Sequence, residues 1–259
     1  MIRISLIWEK CNPIFADISP DSLTCERAQI ERVIDSNTQG ILTTHVYGNC
    51  ADLSDQESLA ESHQIPIIYD GAHAFGVKHK GKSIFNYGTI STCSFHATKI
   101  YHTIEGGAII TKDAKLAEEL RGIRSFGHKG DVYLSAGING KNSEFHAAMG
   151  LVNLKHFENI KAYRQEVSSL YEKHLSPSIT RVSWNSENTR NYSYFPVLLA
   201  SEDHLETVMQ ALIDENILPR RYFYPALNEL PYLDYQACPQ TENIARRILC
   251  LPLSAEIQH

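Results

Sequence analysis

The first half of the chain alternates short apolar runs with amphipathic stretches. Residues 41–47 read Ile-Leu-Thr-Thr-His-Val-Tyr, rich in β-branched side chains, and predict a strand ending in the turn-like Gly48-Asn49. Residues 53–63 are helix-like. The runs at 65–69 and 90–95 predict two further strands, one delivering Asp70 and the other Lys99. Parallel neighbours need a crossover, so strand, helix and strand at this spacing predict βαβ units and a mostly parallel sheet. Open sheets of this kind hold ligands beyond the carboxyl ends of their strands, which is where Asp70 and Lys99 fall.

Outside that centre the pattern predicts a strand at 2–8, an extended piece at 13–17 and a helix at 25–36 on Ile30, Val33 and Ile34, with Gly40 as its left-handed terminator. Downstream it predicts a strand at 108–111 and a helix at 114–124 on Leu116, Leu120 and Ile123. Gly127, Gly130, Gly137 and Gly140 mark a mobile loop over 127–142. A long helix follows over 143–175. The Ser, Pro and Asn-rich stretch 177–191 is the best boundary, dividing the chain into residues 1–176 and a smaller α+β lobe, 177–259. In that lobe strands are expected at 192–199 and 217–222, and helices at 204–215 and 241–249.

Composition narrows the partners. The chain has 259 residues, is 43% apolar and carries a formal charge of -6 without any basic block, which excludes nucleic acid as the main partner. Six cysteines stand singly, as in reduced thiols of the cytoplasm. Glu9 and Lys10 interrupt the opening apolar run, and no run reaches the length of a membrane span.

Lys99 lies among Phe95, Ile100 and Tyr101, surroundings that desolvate an amine and lower its pKa, as a Schiff-base lysine requires. A solvated surface lysine is the competing reading. Asp70 ends an apolar strand, where burial without a partner is costly. It is either a structural ion pair or cap, or a carboxylate that keeps a pyridine nitrogen protonated. His73, His79, His96 and His102 do not have the spacing of metal ligands on one helical face, so no metal is expected. Phosphate-loop, dinucleotide and nucleophile-elbow motifs do not occur.

Four segments in order resemble the DegT/DnrJ/StrS-type sugar nucleotide aminotransferases. They are Tyr69-Asp70-Gly71-Ala72-His73-Ala74-Phe75-Gly76, Ser94-Phe95-His96-Ala97-Thr98-Lys99, Glu105-Gly106-Gly107-Ala108 and Gly137-Ile138-Asn139-Gly140-Lys141-Asn142-Ser143-Glu144. The resemblance implies an α/β fold of the aspartate aminotransferase type (fold type I), with 1–176 as part of the large pyridoxal phosphate-binding domain and 177–259 as the small C-terminal domain. It implies pyridoxal 5'-phosphate as cofactor, with Lys99 as the catalytic lysine that bears it. Asp70 would pair with the ring nitrogen, His73 would lie by the ring and its phenolic oxygen, and Ser94 would contact the phosphate. Asn139 would reach the phosphate in a neighbouring subunit, which implies a homodimer with shared active sites.

The reaction so implied is amino transfer, usually from glutamate, to a nucleotide-linked keto sugar. His96 and the run His102-Thr103-Ile104-Glu105 resemble members acting on dTDP-4-keto-6-deoxyglucose. Arg220, Arg221 and Tyr222 either line the substrate side or form surface charge. Lys99 separates the chain from the family's dehydratases, which carry histidine there. Tyr69 stands where an acidic residue is common. The resemblance begins inside the family's large domain, past its phosphate-gripping loop, and ends before its last helix. A non-catalytic remnant or a partner-dependent subunit is therefore the alternative.

Overall fold

The computed structural model describes residues 2–253. The elements in chain order begin with α1 (Ile2–Trp8), α2 (Arg27–Glu31), β1 (Ile41–Thr44), α3 (Leu53–Ser62), β2 (Ile67–Asp70), β3 (Lys78–His79), β4 (Lys82–Ser83), β5 (Ile90–Ser94) and β6 (Gly107–Ile110). There follow α4 (Ala114–Ile123), β7 (His128–Lys129), β8 (Val132–Tyr133), α5 (Glu144–His174), β9 (Thr180–Arg181), β10 (Phe195–Leu198), α6 (Glu202–Asp214), α7 (Pro239–Arg247) and β11 (Ile248–Leu251).

The main sheet has the order β1-β2-β5-β6. β1, β2 and β5 run parallel, with Asp70 level with both Thr44 and Thr92, and β6 closes the set antiparallel. Asp70 therefore leaves the end of a strand flanked on both sides. Ile41, Leu53, Leu59, Ile67, Tyr69 and Ile84 form one buried core against this sheet. A second core gathers Val167 of α5, Leu205 of α6 and residues of β10 and β11. A third joins Leu23 and Tyr47 to Val182, Leu198, Ile244 and Cys250, so the end of β1 packs directly on the C-terminal strands.

Side-chain oxygens set the helix starts. Asp52, Asp113, Ser143 and Ser201 each accept backbone amides at the first turns of α3, α4, α5 and α6. Among the described residues no helix is long and apolar enough to cross a membrane.

Several elements differ from the sequence expectation. Residues 2–8 form α1 rather than a strand. The carbonyls of Ser5, Leu6 and Ile7 accept from the amides of Glu9, Cys11 and Lys10, and with no strand alongside among the described residues, a helix is what satisfies its backbone. The helix expected over 25–36 is only α2. Beyond it the Asp35 carboxylate captures the Asn37 amide at 2.9 Å and the Thr38 hydroxyl at 3.1 Å, a local turn that competes with helical bonding. Gly40 has no left-handed backbone and terminates nothing.

In the 127–142 stretch, β7 and β8 pair as a short hairpin. The strand expected over 217–222 reduces to a single bridge between Arg220 and Cys250, since Pro219 has no amide to add to a ladder. The last expected helix stops at Arg247, and Ile248–Leu251 instead pairs antiparallel with β10, burying Ile248 and Leu249.

Candidate active site

β2 and β5 end side by side, and the turns that leave them build the site. Past Asp70 the chain folds back at once: the Gly71 amide donates to the Thr92 carbonyl at 2.8 Å and the Ala72 amide donates to Asp70 Oδ1 at 3.0 Å. Gly71 is required for space, because a Cβ there would lie 2.6 Å from the Phe85 ring and 3.0 Å from the Thr92 carbonyl. Buried Asn191 ties the same turn to the later half of the chain, its Nδ2 donating to the carbonyls of His73 and Phe75, each at 2.9 Å.

His73 is buried, and its Nδ1 accepts the Tyr47 amide at 3.1 Å. A neutral ring that accepts at Nδ1 carries its proton on Nε2. Burial, reinforced by the Lys99 charge, pushes its pKa down to about 3, so the ring stays neutral at ordinary pH. Phe223 lies parallel to it at 5.5 Å and Tyr194 packs at 4.7 Å. The Tyr47 hydroxyl donates to the Tyr222 carbonyl at 2.5 Å, which fixes the 220–223 segment as a wall of the site.

From β5, Ser94 Oγ accepts the His96 amide at 3.4 Å and the Lys99 amide closes on the His96 carbonyl at 2.9 Å. The loop is pinned at its base by Phe95 to Gly106 and Thr103 to Phe95 backbone bonds of 2.8 and 2.9 Å. Burial holds the Lys99 amine below its ordinary value; Asp70 and Cys93 oppose this and Arg220 assists it. Asp70 and Lys99 thus feel each other's charge yet form no ion pair. A carboxylate at the end of β2, an amine lowered by burial in the turn after β5 and a neutral imidazole after β2 are the group types that could hold a pyridoxal ring, as acid, amine and neutral donor.

The structure brings Asp70, His73 and Lys99 together and puts Ser94 at the adjacent strand end. Asn139 is placed elsewhere, exposed and bridged to Ser125. Arg221 is not free for a ligand: Glu202 holds its guanidinium, which also lies 3.5 Å from the Tyr224 ring. Sequence reasoning missed Tyr47, Asn191, Tyr194 and Phe223. The parallel pairing offered one signal, since whatever follows β1 must stand beside whatever follows β2. Away from this site, Asp52, His79 and Glu187 cluster as metal ligands do, but the Lys80 ammonium already bridges the two carboxylates at 2.9 and 3.2 Å.

A parallel sheet with a carboxylate at one strand end and a desolvated lysine beyond the next defines an α/β fold of the aspartate aminotransferase type. The chain belongs to the DegT/DnrJ/EryC1/StrS aminotransferase family, whose model matches residues 4–259. A dTDP-4-amino-4,6-dideoxy-D-glucose transaminase of Shigella dysenteriae is 35% identical over 262 residues, covering 98% of this chain and 71% of the relative. Its namesake from Escherichia coli is 34% identical over 267 residues, with the same coverage. Among solved structures, DesI in the presence of its TDP-sugar product superposes with a TM-score of 0.89 at 31% identity, covering 96% of this chain and 66% of that one. The chain thus spans about two thirds of the length of such proteins. The family is one of pyridoxal phosphate enzymes.

Proposed function

We propose that the chain transfers an amino group from glutamate to a nucleotide-linked keto sugar, with pyridoxal phosphate as cofactor. The observation that carries this reading is the Asp70–Lys99 relation: a carboxylate at the end of β2 and an amine in the turn that leaves the neighbouring β5, each in the other's field, with the lysine amine lowered by burial. Asp70, His73, Lys99 and Ser94 would hold the cofactor. When bound, it supplies an electron sink for ionising a C–H bond beside nitrogen.

The residues divide the remaining work. Asp70 presents a carboxylate to hold a proton at the ring nitrogen. His73 presents Nε2–H as a donor and, being neutral, adds no charge. Lys99, with its amine partly desolvated, takes a proton as base and returns it as acid, which a fully solvated lysine does poorly near neutral pH. Ser94 offers its hydroxyl to the phosphate. The similarity to the two dTDP-4-amino-4,6-dideoxy-D-glucose transaminases favours dTDP-4-keto-6-deoxyglucose as acceptor.

The same reading includes a homodimer in which Asn139 serves the neighbouring site. Its support is that the exposed large apolar side chains Tyr133, Leu134, Ile138, Phe145 and Leu151 lie in the stretch of chain that carries Asn139. It also keeps 1–176 and 177–259 as large and small domains and places the chain in the cytoplasm, where cysteine thiols outside any disulfide would stay reduced.

Titration with pyridoxal phosphate tests it. The wild type should develop a visible absorbance band that Lys99→Ala lacks, and should aminate the keto sugar nucleotide when given glutamate. A wild type with no band would remove the claim that this chain acts by itself and favour the partner-dependent subunit.

A further inference from the structure

The loop that follows Lys99 is held by side chains rather than by backbone. Among the described residues, no amide from Ile100 to His102 donates to a backbone carbonyl. Tyr101 anchors the stretch instead. Its ring stacks on Phe75 at 4.2 Å with the planes 13° apart, and it meets Phe95 edge-on at 5.2 Å. Phe75 belongs to the turn that leaves Asp70 and carries His73, whereas Phe95 follows Ser94 at the end of β5, so one ring joins both turns of the site. Phe157 of α5 closes the cluster, edge-on to Phe75 at 5.0 Å. Stacked and edge-on pairs prefer set geometries, so such a cluster fixes orientation as well as burying area.

The far end of Tyr101 reaches α5. Its hydroxyl donates to the Gly150 carbonyl at 3.3 Å, and Nδ2 of Asn153 donates to the His102 carbonyl at 2.9 Å. Gly150, the one glycine of α5, is what lets the loop come this close. A Cβ there would lie 2.7 Å from Thr103 Cγ2 and 2.9 Å from the Tyr101 hydroxyl oxygen. With α5 on one side and the Asp70 turn on the other, the chain two residues after Lys99 has a single seat.

We propose that Tyr101 is a positioning residue for Lys99: its ring on Phe75 and its hydroxyl on α5 fix the base of the lysine relative to Asp70 and His73, so that amine and carboxylate are presented to one cofactor ring at a set separation. A reacting group must be held to within a fraction of an ångström by its supporting residues, and Tyr101 supplies that support. The competing role is plain packing, in which a half-buried aromatic adds stability and leaves the lysine unaffected. Burial alone requires neither a hydrogen bond to a helix carbonyl nor a glycine opposite the hydroxyl, and both are present. This inference rests on the aminotransferase reading only for the importance of Lys99.

Acetylation of the full chain by acetic anhydride over a pH series, without added pyridoxal phosphate and read by peptide mass spectrometry, tests it. In the wild type Lys99 should reach half its full rate at a lower pH than the exposed Lys115 and Lys129. Tyr101→Leu, which removes ring and hydroxyl, should move that pH up toward theirs and weaken pyridoxal phosphate binding roughly tenfold. Tyr101→Phe keeps the stack and should recover part of both. Gly150→Ala leaves Tyr101 in place and favours the helix, yet should shift Lys99 in the same direction by pushing the loop off α5. A folded Tyr101→Leu that melts lower while Lys99 reacts as in the wild type would reduce Tyr101 to packing and overturn the proposal. If Tyr101→Leu does not fold, an unchanged Lys99 in Gly150→Ala overturns it equally. A Lys99 that responds as expected in a chain that never develops the cofactor band would contradict the proposed function and leave this inference standing.

Discussion

The backbone amide of Tyr47 holds Nδ1 of His73 at 3.1 Å, so a residue at the end of one strand decides which nitrogen of a histidine beyond the next strand carries the proton. Tyr47 adopts a left-handed backbone with φ 57°, which a non-glycine residue takes up only when its surroundings demand it. Nitrogen-15 NMR of the imidazoles should find His73 neutral, protonated at Nε2 and not titrating between pH 5 and pH 8. A His73 signal that titrates near 6.5 would contradict the geometry.

Stability should depend on pH through the same groups. Burial lowers both His73 and His45 from 6.5 to about 3 in the folded chain. The unfolded chain therefore binds more protons between these values, and stability is full above about pH 6.5 and is lost as pH falls toward 3. Each histidine contributes a slope on the order of 1 kcal/mol per pH unit. Urea midpoints measured at pH 7.5, 6 and 5 should fall in that order, and His45→Gln should flatten the trend. A midpoint independent of pH would show that these rings are not buried neutral.

Two glycines should respond in opposite directions. Gly71→Ala places a methyl 2.6 Å from the Phe85 ring and should cost about 1–3 kcal/mol. Gly122 lies in α4 with open space around its Cβ position, so Gly122→Ala should stabilise by about 0.5–1 kcal/mol. Thermal melts of both variants check the pair, and a neutral Gly71→Ala would mean that the Asp70 turn has room to spare.

Asn191 bonds to the carbonyls of His73 and Phe75 and accepts the Ser193 amide at 3.1 Å. Asn191→Ala leaves these buried groups unpaired and should cost about 2–4 kcal/mol in a urea titration. It should also weaken pyridoxal phosphate binding by loosening His73. Unchanged stability would mean that water replaces the amide without penalty.

The central strands were legible because β1, β2 and β5 are buried on a parallel sheet and read as apolar runs. α3, α4, α5 and α6 were legible through their periodicity, close to their capping residues. The expectation failed where tertiary partners decide. Residues 2–8 look β-prone but have no strand to pair with among the described residues, while Ile248–Leu251 looks like the tail of a helix until β10 offers a ladder. Asp70, His73 and Lys99 were legible because each lies in a short ordered segment next to a strand end. Asn191 and Tyr194 were not, since they reach His73 across more than a hundred residues of chain. Arg220 and Arg221 are adjacent and alike in sequence, and it is the position of Glu202, Glu206 and Tyr224 in the fold that makes Arg221 the held cation.

The central claim is that Lys99 and Asp70 address two ends of one pyridoxal ring. Borohydride reduction of the protein incubated with pyridoxal phosphate, followed by peptide mass spectrometry, tests it most directly. The label should sit on Lys99 in the wild type and on no lysine at comparable yield in Lys99→Ala, with labelling reduced in Asp70→Asn. A label spread over surface lysines such as Lys115 and Lys129, or absent altogether, would contradict the account.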